Sequence, residues 1–174
     1  MNTLNFFRKG ILALLVATTA LVACSKDSDT DNLKPNTVTL KDVEKQITRA
    51  EYKNTGGDDY TLFLYLNNSD KERVGLVLNK DKHMNGTSIE LSKDDTTQGL
   101  SWAVDYYDSN GNQIIVAIGA HGAPHFIQGT LTVSGTPGSG SVNILLKNGI
   151  VMGLDDKTEY TLTLNYSGEM EKKQ

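Results

Sequence analysis

Only a handful of residues in this 174-residue chain have the types and spacing to do chemistry. His121-Gly122-Ala123-Pro124-His125 sets two imidazoles four residues apart, and imidazole is a common metal ligand. On a helix that spacing would put both rings on one face, but Gly122 and Pro124 break a regular helix. No third ligand follows at a recognised interval, so the expectation is a loop between strands and no metal. His83, beside Lys80, Asp81 and Lys82, reads as an exposed turn residue. Asp108, Asn110 and Asn112 around Gly111 could offer oxygens to calcium, yet they are also the residues a tight hairpin turn prefers. The spacing of Asp27, Asp29 and Asp31 suggests a calcium loop that lacks its glycine and distal glutamate. Ser139 sits between two glycines without the Gly-x-Ser-x-Gly frame of a nucleophile elbow. Spacing assigns no Ser-His-Asp set and no carboxylate pair. The sequence therefore predicts no catalytic residue, no cofactor and no enzyme.

Aromatic residues offer a different chemistry. Trp102, Tyr106 and Tyr107 could form a platform for the apolar face of a sugar, with Asp105 fixing hydroxyl groups. Leu100, Trp102, Val104 and Tyr106 alternate with Ser101, Ala103, Asp105 and Tyr107. That pattern predicts Trp102 and Tyr106 in the core and turns Tyr107 outward, as the candidate ligand contact.

These residues need elements to position them, and alternation supplies the strands. In Tyr160-Thr161-Leu162-Thr163-Leu164-Asn165-Tyr166 one face is apolar and the other polar, the mark of a half-buried antiparallel strand. Tyr60 to Leu66 is apolar on both faces and reads as a central strand. Leu40 to Arg49 could hold a short helix, but a strand over part of it fits better. Turn chemistry lies between the runs: Gly56-Gly57-Asp58-Asp59, Asn85-Gly86, Asp108 to Asn112 and Pro137-Gly138-Ser139-Gly140. Lys147-Asn148-Gly149-Ile150 predicts a two-residue hairpin turn. Roughly nine to eleven short strands with glycine-rich turns predict an all-β domain. An antiparallel β-sandwich, immunoglobulin-like or jelly-roll-like, is expected, with a barrel as runner-up.

The N-terminus carries an address. Arg8 and Lys9 precede an apolar run from Ile11 to Ala23, about thirteen residues and too short to span a bilayer. Leu21-Val22-Ala23-Cys24 resembles the lipobox of bacterial lipoproteins. The resemblance implies cleavage before Cys24, a diacylglycerol on its thiol and attachment to a membrane. Cys24 is the only cysteine, so the fold must stand without disulfides. Cleavage would remove two of the 17 basic residues and none of the 21 acidic ones, leaving a net charge of about −6. That balance argues against nucleic acid as a partner. Residues 1–23 are read as signal peptide, 24–36 as a flexible acidic tether, 37–170 as a single sandwich domain and 171–174 as a polar tail. The acidic run after Cys24 is similar to surface-export signals of Bacteroidetes lipoproteins.

The order of the Tyr60–Leu66, Val74–Leu78, Gly86–Leu91 and Phe126–Val133 strands, closing with Tyr166-Ser167-Gly168-Glu169, resembles small β-sandwich surface lipoproteins of Bacteroidetes. The resemblance implies an outer-membrane lipoprotein, lipid-anchored and facing the cell surface, with a periplasm-facing alternative. Asp95-Thr96-Thr97 is similar to a Bacteroidetes O-glycosylation pattern, which implies a glycan on Thr96. The expected role is non-catalytic: a module that binds a glycan or an envelope protein. The alternatives are a fimbrial-type structural subunit, which would need an open groove or an exchanged strand, and an envelope hydrolase, whose residues are missing.

Overall fold

Apolar residues recurring at every second position force extended chain, because only a strand puts alternate side chains on one face. The computed structural model describes residues 33–96 and 99–174. The expected signal peptide, Cys24 and most of the tether lie outside the described residues. One sheet has the order β2 (Val43–Gln46), β1 (Thr37–Leu40), β11 (Glu159–Gly168), β10 (Val142–Met152), β9 (Phe126–Ser134), β6 (Asn85–Glu90). The other runs β12 (Glu171–Lys172), β3 (Arg49–Gly56), β4 (Asp59–Tyr65), β5 (Arg73–Asn79), β7 (Ala103–Tyr107), β8 (Gln113–Ile118). All strand pairs are antiparallel except β12 on β3. Neither sheet closes on itself, so the fold is a β-sandwich and not a barrel.

The core fills the space between the sheets. Leu62, Leu64, Val74, Leu76, Leu78, Val104 and Ile115 from one sheet are buried in a single cluster with Leu131, Val133, Ile144, Leu146, Leu162 and Leu164 from the other. Burying each such side chain contributes about 2 kcal/mol. Trp102 and Tyr106 are in this core, and β4 lies between β3 and β5, as the alternation predicts. The chain is already tied down before β1: Leu33 O accepts from Asn165 Nδ2 (3.1 Å) and Asn36 Oδ1 from the Ser167 amide (2.9 Å).

Several expectations need correction. The Asn148-Gly149 hairpin does not exist: β10 runs straight through it, with a bulge instead of a turn. Leu146 faces Leu164 and Gly149 faces Leu162, so three steps on β10 match two on β11. Asn148 is the extra residue, at φ 52°. Its insertion moves the buried positions from Val142, Ile144 and Leu146 to Gly149 and Val151. Asn85-Gly86 likewise makes a bulge at the start of β6, with Gly86 at φ 85°. Two-residue connections form instead at Gly57-Asp58, between Gly56 and Asp59, and at Lys41-Asp42, whose φ angles of 47° and 63° fit a type I′ turn between Leu40 and Val43. Over Leu40–Arg49 the favoured strand is present, as β2 at Val43–Gln46. Among the described residues the one helical turn is α1 (Lys80–His83), whose N-cap Asn79 accepts from the Lys82 amide.

The sheet edges are managed one by one. β2 is short and carries Glu44 and Lys45, and β6 is bulged. β12 covers β3. On β8 two loops take outward backbone groups: Leu154 N donates to Ile114 O (3.0 Å) and Ile118 N to Pro124 O (2.8 Å).

Candidate functional site

All three histidines of the chain converge on two consecutive aspartates, Asp94 and Asp95. The loop after β6 delivers them. It turns at Lys93, whose amide bonds Glu90 O, and is then fixed where the Asp95 amide donates to Gly119 O (2.6 Å). Gly119 in turn donates to Trp102 O (2.8 Å), so the loop is strapped to the ends of β7 and β8.

His83, expected in solvent, is buried at 3% exposure. The reason is α1: its single turn swings the ring inward, where both nitrogens find partners. Nδ1 accepts from the Asn79 amide (2.9 Å), and Nε2 lies 2.8 Å from Asp95 Oδ2, whose side chain is 6% exposed. Since Nδ1 accepts, Nε2 carries the proton that goes to the carboxylate. With both nitrogens committed, this Asp–His pair has no free site to take a proton from a nucleophile.

Asp94 meets the other two rings. His121 Nδ1 is 2.7 Å from its Oδ2, on a fully open side chain. His125 Nε2 is 3.0 Å from its Oδ1, near enough for an ion pair when the ring is protonated but outside hydrogen-bond geometry. His121 and His125 do sit in a loop between strands, which turns where the Ala123 amide bonds Ala120 O. Among the described residues no group of three or more His, Cys, Asp or Glu side chains is arranged to hold a metal ion.

Beside this cluster opens a cleft of about 250 Å³, lined by Lys82, Ile89, Glu90, Lys93, Thr96 and Trp102 among others. Charged, hydroxyl and apolar groups thus share one concavity. Trp102 Nε1 is buried and has no hydrogen-bond partner among the described residues. Its ring meets His125 edge-on, with centroids 6.3 Å apart. Gly119 is required here, since a Cβ would stand 2.5 Å from Trp102 Nε1. Thr96 is exposed at the cleft, while Thr97 lies outside the described residues.

Tyr107 stands on the outer face, opposite Tyr106, as the alternation predicts. The Arg73 guanidinium covers its ring at 3.8 Å, and Arg73 Nη1 also donates to Asp70 O and Lys71 O. One ring face is therefore taken by the protein itself. Asp108, Asn110 and Asn112 form the hairpin turn: Asp108 Oδ1 accepts from the amides of Asn110 (2.9 Å) and Asn112 (2.8 Å). These donors, the Asn112 amide first, hold the Asp108 carboxyl below its ordinary range. The sequence reading missed Asp94, Asp95 and the burial of His83. The Asn79 cap three residues before Lys82 was the available signal.

No family model, no curated protein and no solved structure matches the chain.

Proposed function

We propose that this protein is a lipid-anchored lipoprotein of the cell envelope, held in the outer membrane through Cys24, whose sandwich is a non-catalytic binding module. The cleft beside Asp94 and Asp95 is its ligand site, and a glycan is the ligand class. The cleft lining carries this reading: Lys82, Glu90, Lys93 and Thr96 offer donors and acceptors beside apolar Ile89, with the core residue Trp102 behind them. Such a mixture matches the alternating polar edges and apolar faces of sugars. Managed sheet edges support contact through side chains over strand exchange, and so favour this role over a fimbrial-type subunit. The committed nitrogens of His83 support a binding role over hydrolysis.

Full-length protein, purified in detergent and fluorescently labelled, should retain at least one glycan on an array of envelope and host glycans. Lys93→Ala and Glu90→Ala should each weaken that binding at least tenfold. If no glycan is retained, or both variants bind like the parent, the glycan reading fails. The anchor is tested separately: Cys24→Ala should abolish labelling by radioactive palmitate, and undiminished labelling overturns it. A glycan on Thr96 would crowd the cleft. Intact mass from the native host, compared with Thr96→Ala, detects it as a difference beyond the substitution.

A further inference from the structure

The outer face of the β3–β4–β5–β7–β8 sheet holds a carboxylate that the cleft does not use. Strand register sets Glu51, Phe63, Gly75, Asp105 and Val116 side by side across five strands. Asp105 leans over Gly75, where a Cβ would lie 2.1 Å from Asp105 Oδ1. The missing side chain at Gly75 is what lets the carboxylate lie against the sheet. Phe63, Val77 and Val116 are half-buried around it.

Asp105 Oδ1 is buried and has no hydrogen-bond partner among the described residues. Nearby charges are committed elsewhere. Glu51 receives the Tyr65 hydroxyl and Lys173, and Arg49 lies 3.1 Å from it. Arg49 also pairs with Asp70. Arg73 is spread over Tyr107 and bonded to backbone carbonyls. Burial pushes the Asp105 carboxyl above its ordinary range, and the charge of Arg73 and the Gly75 backbone amide only partly oppose it. A desolvated carboxylate with one oxygen lacking a donor is destabilising by itself, and a cation arriving in the same apolar surroundings offsets that cost.

We infer that this face docks a protein partner that inserts a basic side chain, flanked by apolar residues, onto Asp105. The occupant follows from complementarity: one acid with an oxygen lacking a donor, set among apolar groups, fits one cation carried on an apolar body. The site is separate from the glycan cleft, and neither depends on the other.

The test uses the isotope-labelled full chain in detergent and two blocked tripeptides, Leu-Arg-Leu and Leu-Gln-Leu. The arginine peptide should shift the amide signals of Gly75, Asp105 and Val116 in a saturable way, and the glutamine peptide should bind at least tenfold more weakly. Asp105→Asn should abolish the difference between the peptides, whereas Asp42→Asn, on the other sheet, should preserve it. Agmatine, a guanidinium without flanking side chains, should also bind at least tenfold more weakly than Leu-Arg-Leu. Equal binding of the two tripeptides to the parent protein overturns the proposal without recourse to any variant. So does agmatine binding as tightly as the arginine peptide, or selectivity that survives Asp105→Asn.

Discussion

Strand β5 joins two polar ends built on different plans. Just before it, Glu72 is 6% exposed and receives Lys45 Nζ, the Tyr106 hydroxyl (2.8 Å) and Asn67 Nδ2 (3.3 Å). Lys45 comes from β2 and Tyr106 from β7, so one carboxylate ties the two sheets together. At the other end, the buried acid is Asp95 from the loop after β6, facing His83 of the helical turn that follows β5, with Asp94 between two more histidines at the surface. Glu72 thus holds strands of both sheets, whereas Asp94 and Asp95 hold histidines of a one-turn helix and a loop. The first end is a fixed tie. The second borders the cleft. Buried charge alone therefore does not mark a functional site; the nature of its donors and its access to a cavity do.

The sharpest way to break this comparison is at Glu72. Glu72→Ala would leave the Tyr106 hydroxyl and Lys45 without their acceptor. Loss of one partner from a buried pair costs roughly 3–5 kcal/mol, and Lys45 can still reach water, so the lower end, about 3 kcal/mol, is expected. The urea midpoint should fall by the corresponding amount, with glycan binding per folded molecule unchanged. A loss below about 1 kcal/mol, the range of exposed pairs, would show that Glu72 is no tie. Burial raises the pKa of Tyr106, and Glu72 adds to it, so the phenol stays a donor to high pH.

His83→Ala should come next, at about 2 kcal/mol, because the Asn79 amide and Asp95 each lose a buried partner. Unlike Glu72→Ala, this change should also weaken ligand binding, since Asp95 shapes the cleft. The double variant Glu72→Ala/His83→Ala separates the two ends. Changes at distant sites that share no partner add to within about 0.5 kcal/mol. Non-additivity above about 1 kcal/mol would mean that β5 couples the two ends and that they are not independent designs.

The strands were legible because alternation is enforced by the core: Leu162, Leu164 and Tyr166 could not face inward in any other conformation. The connections were only half legible. Asparagine followed by glycine signals a backbone able to take positive φ, and a bulge needs that as much as a turn does. Asn148 and Gly86 show the signal spent on bulges, while Lys41-Asp42 takes the same backbone in a turn without it. A shift of the buried positions from even to odd numbers between Leu146 and Val151 was the available clue to the bulge. The cleft was least legible. His83, Asp95 and His125 are brought together by a one-turn helix and two loops, and contacts between loops leave no period in a sequence.

The smallest effect belongs to a carboxylate that isolates burial from the number of donors. Asp155, like Glu72, has three donors: the amides of Lys157 (3.0 Å) and Thr158 (2.9 Å), and the Thr158 hydroxyl (2.7 Å). Unlike Glu72, it is fully exposed. The Thr158 hydroxyl, followed by the Thr158 and Lys157 amides, holds its carboxyl at about 2, against an ordinary value of 3.8. A carboxyl depressed by folding contributes stability that is present above its unfolded value and is lost as pH falls through the folded one. Any contribution from Asp155 should therefore disappear between about pH 4 and pH 2, and Asp155→Asn should barely move the urea midpoint at pH 7, where Glu72→Ala moves it far. A carbon-13 titration of the Asp155 carboxyl should give a midpoint near 2, rising toward the ordinary value in Thr158→Val. A midpoint already at the ordinary value in the parent would mean that these three bonds do not hold in solution. A large loss of stability at pH 7 on Asp155→Asn would mean that donor count outweighs burial, and the contrast drawn from Glu72 would fail with it.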